Sequence, residues 1–287
     1  MNYKILFPSE PFNVKNFDED YLPEKNACDI LGIEYSKFDY DTFIRDGQFN
    51  SDIDFTFKGI YIYRGWMMNI SQYSNLYSNI TQRSKNNIIL INDQYQYENC
   101  HCFHRVYDYL TNYTPRILVS QYSNGEACRM LESIDFDFII KDYVKSIKTS
   151  NGIEKISKDI SMSELQKKIN HFVKERGMLF TGKIVFKKYV ELKKYDNKTN
   201  EWRAFFFNGK LLSLLQNSYL NTTEAPSEDF VKNISQKISH KSNFFTIDFA
   251  FTEDNKWIVI ETGDGQVSGL PEGEELGFFN KLKESLV

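Results

Sequence analysis

Two acidic residues in neighbouring apolar segments near the C-terminus suggest a metal site. Asp248 lies inside the apolar run Phe244–Phe251, and Glu261 directly follows the apolar run 257–260. Because only a short polar stretch separates the two runs, we expect them to form antiparallel neighbouring strands. Carboxylates on adjacent strands then face one cleft and supply the hard oxygen ligands with which Mg²⁺ bridges phosphates. The sequence therefore predicts Asp248 and Glu261 as metal ligands, and an Asp that only pairs with a basic neighbour is the alternative.

The glycine-rich segment 261–269 continues this candidate site. Glycines directly after a strand let the backbone approach a ligand closely, which makes the segment a place for ligand contacts. We predict Asp264 as a third metal ligand and Gln266 and Ser268 as substrate contacts. An ordinary surface turn is the alternative for this segment.

A lysine and a polar loop follow another predicted strand. Lys141 ends the apolar run 136–141, and Lys145 and Ser146 lie just beyond it. A lysine at that place can contact a phosphate as a point charge, and a solvated strand end is the common alternative. The loop 146–152 lacks the spacing of a Walker motif. It is a candidate loop for covering phosphates.

Two arginines are candidates for binding an anionic substrate. Arg203 follows Glu201 and Trp202 in a predicted strand, where its guanidinium can bind a phosphate or a carboxylate through two N–H groups. A cross-strand surface ion pair, which contributes little, is the alternative. Arg64 follows another predicted strand, beside Trp66, and either binds a substrate carboxylate or forms a buried ion pair.

The elements that must position these residues fall into two parts. Over residues 1–115, apolar periodicity predicts alternating strands and helices, which is typical of an α/β layer structure. The strands predicted in this part and just after it are 3–7, 33–38, 59–63, 88–91 and 117–119, and the helices are 24–32, 69–80 and 97–110. Beyond Thr114-Pro115, strands are predicted at 136–141, 183–192, 202–207, 210–215, 244–251 and 256–260. Asn208-Gly209 predicts a hairpin turn, and helices are expected behind the capping box at Ser161 and near 227–238.

Composition excludes several classes of protein. The chain has 287 residues, and 41% of them are hydrophobic, which excludes disorder as a description of the whole chain. Its apolar runs are shorter than the ~18 residues of a membrane span. Because the N-terminal run is also too short for a signal peptide, we predict a cytoplasmic protein with no membrane partner. The net charge of −4 does not favour nucleic acid as a partner.

Cysteine and histidine give a weaker signal. The four cysteines do not suggest a disulfide framework in a chain of this length, so we predict free thiols. The segment Cys100-His101-Cys102-Phe103-His104 is rich in potential metal ligands. In the predicted helix, these side chains cannot all face one ion, so we do not expect a metal there.

The order of these features along the chain resembles a known fold family. A strand-end lysine, a basic and aromatic strand, Glu-x-Arg on a strand, and then Asp and Glu on successive strands resemble the ATP-grasp fold from Thr114 to the C-terminus. Three blocks resemble the R-to-K clade of that superfamily in particular. They are Phe138-Ile139-Ile140-Lys141-Asp142-Tyr143-Val144-Lys145-Ser146, Glu261-Thr262-Gly263-Asp264-Gly265-Gln266-Val267-Ser268-Gly269-Leu270-Pro271 and Arg64-Gly65-Trp66-Met67.

The resemblance implies a fold of α/β and α+β class with two domains. Residues 1–115 would form an N-terminal α/β pre-ATP-grasp domain on the substrate side, and residues 116–287 would form the ATP-grasp domain. Within the second domain, residues 116–190 would be the small lobe that binds ATP, and residues 191–287 the central lobe that binds metal. The ligand would lie between the lobes, where clefts commonly form.

The resemblance also implies a role for each candidate residue. The ATP phosphates would be bound by Lys141, with Lys145 or Lys183 assisting, and Ser146 would also contact the nucleotide. The adenine would be bound by the hinge of Lys187, Lys188, Tyr189 and Val190, and the ribose would lie near Glu191 or Glu201. The transferred phosphoryl group would be stabilised by Arg203 and Lys183, and Mg²⁺ would be held by Asp248, Glu261 and Asp264. The chain departs from the family pattern at Gly263, where asparagine is usual, and at Thr246, where arginine is common.

The activity implied by the resemblance is ligation with ATP and Mg²⁺. ATP would phosphorylate a carboxylate to an acyl phosphate, and an amine or similar nucleophile would then displace the phosphate. Cations that stabilise developing charge suit this chemistry. The substrates would be free metabolites, or a peptide or protein. Two other functions stay open, a phosphotransferase that stops after phosphoryl transfer and a catalytically silent nucleotide-binding module. The sequence leaves the oligomeric state open.

Overall fold

The computed structural model describes residues 2–122, 125–144, 148–149, 152–217, 220 and 224–286. Lys145 and Ser146, two of the predicted nucleotide contacts, lie outside the described residues. The strands are β1 (Tyr3–Glu10), β2 (Asn13–Phe17), β3 (Tyr35–Phe38), β4 (Gly59–Tyr63), β5 (Ile88–Leu90), β6 (Ile117–Gln121), β7 (Phe138–Lys141), β8 (Lys148–Thr149), β9 (Gly152–Ile153), β10 (Lys183–Lys188), β11 (Lys194–Tyr195), β12 (Lys198–Thr199), β13 (Glu201–Phe207), β14 (Lys210–Gln216), β15 (Phe244–Phe251) and β16 (Trp257–Asp264). The helices are α1 (Leu22–Leu31), α2 (Tyr40–Asp46), α3 (Ile70–Arg83), α4 (Gln94–His101), α5 (Tyr107–Leu110), α6 (Glu126–Arg129), α7 (Met162–Arg176), α8 (Glu228–Gln236) and α9 (Glu275–Leu286). The predicted mixture of α/β and α+β organisation is confirmed.

A parallel sheet forms the N-terminal layer. Strand β1 pairs in parallel with β3 on one side and with β4 on the other, and β5 extends the sheet beyond β4. Helix α1 ends at Gly32, whose φ of 64° lies in the left-handed region that glycine adopts without strain. Helix α3 begins at Asn69, which forms a reciprocal capping box with Gln72. Local signals of this kind explain why the predicted order of elements is confirmed here.

The small lobe is built on a three-stranded antiparallel sheet in the order β6–β10–β7. Helix α7 covers one face of it, and Ser161 caps this helix by accepting a hydrogen bond from the N–H of Glu164. Its buried stripe consists of Leu165, Ile169 and Phe172. Met162, the first residue of the helix, is 45% exposed.

The central lobe is a four-stranded antiparallel sheet in the order β14–β13–β15–β16. The predicted turn at Asn208-Gly209 joins β13 to β14, with φ of 48° and 76° at the two residues. Every residue of β15 is buried, so both faces of this sheet are covered. One face packs on α8, and the buried residues of that contact are Phe206, Phe245, Ile247, Phe249, Val231 and Ile234.

The other face of the central sheet is divided between packing and the candidate site. Phe205, Phe207 and Phe244 lie at one end and join a hydrophobic cluster with α1, β1 and α9. The buried members from the N-terminal layer are Ile5, Phe7, Ala27, Cys28, Ile33 and Ile62, and those from α9 are Phe278, Phe279, Leu282 and Leu286. This core crosses the predicted domain division at residue 115, and the division itself stays a prediction.

Several elements differ from the predicted ones. The predicted helix 97–110 is interrupted, because Cys102 has extended backbone angles, φ −100° and ψ 94°, after α4. A 3₁₀ turn, Phe103–Arg105, and the short helix α5 follow it. Strand β2 and helices α2, α6 and α9 were not predicted. None of the helices in the described part of the chain combines the length and the apolar character that a membrane crossing requires. The cytoplasmic location stays a prediction.

Candidate active site

Three neighbouring strands align one arginine and two carboxylates in a row. Arg203 on β13 is the register partner of Asp248 on β15, which in turn is the partner of Glu261 on β16. Residues directly opposite each other in paired strands point to the same face of a sheet. The predicted neighbourhood of Asp248 and Glu261 on antiparallel strands is therefore confirmed, and the row lies on the half of the face that the phenylalanines leave open.

Arg203 holds the Asp248 carboxylate with two hydrogen bonds. Its Nε lies 2.8 Å from Oδ1 and its Nη2 lies 2.7 Å from Oδ2, while Nη1 donates to the carbonyl of Gly269 at 3.0 Å. Burial works against the charge of Arg203, but the Asp248 carboxylate outweighs it and raises the pKa of the guanidinium. The geometry is the bidentate fork that arginine forms with carboxylates, and it fixes the direction of the Asp248 oxygens.

Two lysines of the small lobe cross the cleft to this row. The Nζ of Lys141 lies 3.0 Å from Oε1 of Glu261, and the Nζ of Lys187 donates to the carbonyl of Ile260. Both side chains are buried, with 4% exposure each. Lys141 is the register partner of Val185, two residues before Lys187, so both lysines lie on the sheet face that turns toward the central lobe. The lysines of the small lobe therefore line one side of the cleft between the lobes, and the carboxylates of the central lobe line the other side.

Lys187 is a buried ammonium group with unusual surroundings. It forms no ion pair with an acidic side chain in the part of the chain that the structure describes. Burial and the neighbouring Lys141 ammonium lower its pKa to about 7, against a weaker opposite effect of Glu261. A buried cation without a carboxylate partner is costly unless an anion binds there. Its place suits a phosphate.

The acidic residues of the row fit a divalent cation only together with other ligands. Among the described residues, no three Asp, Glu, His or Cys side chains come together as a metal cluster. Asp248 and Glu261 supply two hard oxygen donors on adjacent strands. Mg²⁺ is commonly bound by one or two carboxylates, with water and substrate phosphates completing the octahedron. The pair fits Mg²⁺ bound with a nucleotide.

Gly263 lies two residues beyond Glu261 on the same face, and its surroundings are tightly filled. A Cβ atom there would lie 2.7 Å from Oγ1 of Thr246 and 2.8 Å from Oγ of Ser268. These two hydroxyls are hydrogen-bonded to each other at 2.9 Å. The place at which the family usually has an asparagine side chain is thus occupied by two hydroxyl groups.

Asp264 does not join the row, which corrects its prediction as a metal ligand. Strand β16 continues through Asp264, and an odd separation of three residues from Glu261 turns its side chain to the opposite face. Its Oδ2 accepts a hydrogen bond from Asn92 at 2.6 Å, and its Oδ1 accepts one from the N–H of Gln266 at 2.9 Å. Burial raises the pKa of this carboxyl to about 7 despite these hydrogen bonds.

Arg64 forms the buried ion pair that was the alternative to a substrate contact. Its Nε and Nη2 lie 2.8 Å and 2.6 Å from the two carboxylate oxygens of Glu24. Its Nη1 donates to the carbonyls of Gly265 and Ser268, at 2.5 Å and 2.9 Å. With 1% exposure, the side chain is closed off from any substrate. The prediction of Arg64 as a substrate contact is corrected for this reason.

The predicted substrate contacts Gln266 and Ser268 are likewise buried. Gln266 accepts a hydrogen bond from the N–H of Tyr63 at 3.2 Å and donates to the hydroxyl of Tyr73 at 2.7 Å. Ser268 donates to the carbonyl of Asp264 at 2.8 Å. The glycine-rich segment therefore fastens the N-terminal layer to the central sheet, and its polar groups are used for that purpose.

The predicted hinge connects the two lobes. Strand β10 ends at Lys188, whose N–H donates to the carbonyl of Arg116, and the N–H of Tyr189 donates to the carbonyl of Asp137. Val190 is half-buried, and the exposed Glu191 accepts a hydrogen bond from the Tyr189 hydroxyl at 3.1 Å. These residues lie where the small lobe passes into the central lobe. Their contact with adenine stays a prediction.

Two further predicted residues, Glu201 and Lys183, lie on strands of the two lobes. Glu201 is on the sheet face of Arg203, two residues before it, and accepts a hydrogen bond from the Thr199 hydroxyl at 2.5 Å. Lys183 shares a strand face with Lys187 but lies about 13 Å away along the strand. Its field contributes to the lowered pKa of His104, about 4, which burial mainly causes. Their roles at the ribose and the phosphoryl group stay predictions.

The side chain of Lys187 was not predicted to be part of the site. The resemblance implies a role for this residue in the hinge backbone, whereas in the structure its ammonium group lies beside Lys141. Strand alternation within residues 183–188 could have placed Lys187 on the cleft face. The Cys100–His104 segment holds no metal cluster among the described residues. All four cysteines are free and buried.

A separate cavity of about 330 Å³ lies between the loop after β4 and the end of the small lobe. Its volume falls in the range of small-molecule sites. Two of its charged lining groups are paired, Arg176 with Asp142 and Glu98 with Arg105. Apolar groups make up much of the rest of the lining, including Met67, Met68, Ile70, Met178, Leu179 and Phe180.

Several solved structures have a fold similar to that of this chain. D-cycloserine synthetase DcsG and the ATP-grasp ligase PsnB complexed with its minimal precursor each match with a TM-score of 0.62, at 12% identity, over 100% of both chains. D-alanyl-alanine synthetase A from Vibrio cholerae O1 biovar eltor matches with a TM-score of 0.63, at 11% identity, over 98% of this chain and 96% of that chain. No curated protein sequence matches this chain.

The family model agrees with the architecture. The model of the ATP-grasp domain of the R-to-K clade, family 3, matches residues 127–282, which is more than half of the chain. The resemblance seen in the sequence is confirmed by this match. With its two lobes and the row of charged residues between them, this chain belongs to family 3 of the R-to-K clade of ATP-grasp domain proteins.

Proposed function

We propose that this protein is an ATP- and Mg²⁺-dependent ligase that joins a carboxylate to an amine. The observation that carries the proposal is the cleft where the buried ammonium groups of Lys141 and Lys187 face the carboxylates of Asp248 and Glu261. Family membership supports a nucleotide in this cleft. The similar folds of a D-alanyl-alanine synthetase and of a ligase complexed with its precursor support bond formation as the reaction.

Each residue of the cleft has a role that follows from its chemistry. Lys141 and Lys187 bind the phosphates as point charges. Asp248 and Glu261 hold Mg²⁺, and Arg203 fixes the orientation of Asp248 while its remaining N–H groups face the developing charge. When bound, ATP supplies the phosphoryl group that activates the carboxylate as an acyl phosphate. Little covalent help from the protein is needed, because positioning and charge stabilisation dominate such transfers.

The acceptor substrates are a carboxylate and an amine of open identity. The neighbouring folds include enzymes named for small amino-acid products and a ligase complexed with a precursor. The cavity beside Met67 and Met178 has a mixed lining, in which apolar groups alternate with polar ones such as Asn69, His101 and Thr181. We therefore expect amino acids or peptides among the substrates.

A catalytically silent nucleotide-binding module is the second candidate function. The observation that favours it is Gly263, where the side chain of a usual third ligand is replaced by the hydroxyls of Thr246 and Ser268. In that case, nucleotide would bind without turnover. The two candidates differ in whether bound ATP is consumed.

The first experiment measures nucleotide binding by calorimetry, with ATP and Mg²⁺ together and ATP alone. We expect Mg²⁺-dependent binding in the wild type, loss of the Mg²⁺ effect in Asp248→Asn, and weaker binding in Lys187→Met. Lys210→Met is the matched control, because Lys210 is exposed on the edge strand β14. Absence of ATP binding by folded wild-type protein overturns the proposal.

The second experiment follows release of ADP and phosphate with pooled carboxylates and amines, both free amino acids and peptides. Release that requires an acid and an amine together supports a ligase. Release with one acceptor and a stable phosphorylated product identifies a phosphotransferase instead. ATP binding without release from any pool favours the silent module.

A further inference from the structure

The segment between α4 and α5 passes directly behind the two lysines of the cleft. Phe103 in this segment is 2% exposed. The centre of its ring lies 4.9 Å from the Nζ of Lys187 and 5.8 Å from the Nζ of Lys141. An aromatic face attracts a cation within about 6 Å of its centre. One buried ring is thus within reach of both ammonium groups.

The two ammonium groups need such a partner because they are close enough to repel each other. Lys141 lowers the pKa of Lys187, although burial is the larger cause. Lys141 is balanced by Glu261, whereas Lys187 has the carbonyl of Ile260 as its hydrogen-bond acceptor. The ring face carries a partial negative charge. It stabilises both cations without being an anion that would compete with a phosphate for them.

Three contacts hold Phe103 in this position. Its N–H donates to the carbonyl of Tyr143 at 3.1 Å, and the neighbouring His104 ring stacks on the Tyr143 ring with centres 3.4 Å apart. The Phe103 ring also packs edge to face on Tyr107, with centres 6.3 Å apart. Because Tyr143 follows Lys141 by two residues, these contacts tie the ring to the strand end that carries one of the lysines.

We propose that Phe103 is a positioning residue of the nucleotide site, which holds the side-chain ends of Lys141 and Lys187 together before a polyphosphate binds. This inference rests on the proposed nucleotide binding. It extends the site to the connector that precedes the region 127–282 matched by the family model. Part of the phosphate-binding machinery would then come from outside the ATP-grasp lobes.

The test replaces Phe103 with phenylalanine analogues that carry one, two and three fluorine atoms. Fluorination keeps the shape of the ring and progressively removes the negative charge of its face. We expect the affinity for ATP, measured by calorimetry without metal, to fall stepwise along the series, and the affinity for adenosine to stay constant. Phe103→Leu should weaken ATP binding by about 2- to 30-fold, the range of a cation–π contact.

Fluorinated analogues at Phe172 are the matched control. This phenylalanine is buried in the small lobe, and no cation of the described residues lies over its ring. The role of Phe103 is overturned if ATP affinity is equal across the Phe103 series, in protein that binds ATP and melts like the wild type. That result leaves the proposed function standing. Wild-type protein that binds no ATP overturns both together.

Discussion

Lys141 of the small lobe and Glu261 of the central lobe form an ion pair across the cleft, with 3.0 Å between Nζ and Oε1. Arg203 and Asp248 form a second pair beside it. In the free protein, both carboxylates proposed to bind Mg²⁺ are therefore already paired with cations, and one of these cations, Lys141, is itself proposed to bind phosphate. ATP and Mg²⁺ together can take the place of the two partners in the Lys141–Glu261 pair.

From this relationship we predict opposite effects of Lys141→Met on the two ligands. Loss of a charged hydrogen bond should weaken ATP binding by about 10- to 150-fold. Binding of Mg²⁺ alone should become tighter, because Glu261 no longer has to break its ion pair with Lys141. Calorimetric titration of each ligand separately measures both effects, with Lys210→Met as control. If Lys141→Met bound both ATP and Mg²⁺ more weakly than the wild type, the proposed exchange of partners would be contradicted.

The pH dependence of ATP binding should follow Lys187. Its pKa of about 7 in the free protein must rise when a phosphate binds beside it, so binding takes up a proton above pH 7. Affinity for ATP is then highest below pH 7 and falls as the pH rises through 7, by up to about tenfold per unit. Calorimetry at pH 8 in buffers of different ionisation enthalpy measures the proton uptake.

The control for this pH dependence is Lys187→Arg. Arginine stays charged throughout this pH range. The Lys187→Arg variant should therefore show neither the proton uptake nor the loss of ATP affinity at high pH. The titration of ATP itself is common to both proteins and cancels in the comparison. Identical pH profiles of the wild type and Lys187→Arg would show that Lys187 does not bind the phosphates.

Arg64→Met should destabilise the fold. Removing one partner of a buried ion pair leaves the Glu24 carboxylate buried alone, which costs about 3–5 kcal/mol in the free energy of unfolding. The double variant Arg64→Met/Glu24→Leu should recover part of this loss. It should not recover all of it, because the carbonyls of Gly265 and Ser268 still lack their donor. Urea unfolding measures each step. If Arg64→Met kept the stability of the wild type and lost substrate binding, Arg64 would be a substrate contact, as the sequence suggested.

Gly263→Ala should also destabilise the fold, by about 1–3 kcal/mol, since the added Cβ would overlap the hydroxyls of Thr246 and Ser268. In a Thr246→Ala background, where one of the two obstacles is gone, the same substitution should cost less stability than it does in the wild type. Gly269→Ala is the control, because a Cβ there meets nothing within 4 Å. Thermal unfolding of these variants measures the order of their stabilities. Equal melting temperatures for Gly263→Ala and Gly269→Ala would contradict the tight fit.

Sequence patterns were sufficient where the signal is local. The turn at Asn208-Gly209, the end of α1 at Gly32 and the antiparallel pairing of Asp248 with Glu261 all depend on residues that are close in sequence. Two strands that are joined by a short connection usually pair with each other in antiparallel fashion. These parts of the fold and of the candidate site were predicted for that reason.

The predictions were wrong where strand alternation or contacts between residues distant in sequence determine the position of a side chain. Strand alternation over 261–264 separates Glu261 from Asp264, but the strand was expected to end at residue 260, so the alternation was not applied. The partner of Arg64 is Glu24, which lies on helix α1, 40 residues away in sequence, so no local sequence pattern indicates the pair. The role of Phe103 depends in the same way on lysines from two different strands.

The hydrophobic cluster shared by α1, β1, α9 and the phenylalanine end of the central sheet has a consequence for cooperativity. Removal of residues 1–115 would strip the cover from Phe205, Phe244 and the buried face of α9, and such a fragment would aggregate. Heating should therefore melt the N-terminal layer and the central lobe in one transition. The segment that defines the family, residues 127–282, is an evolutionary unit embedded in a larger unit of folding.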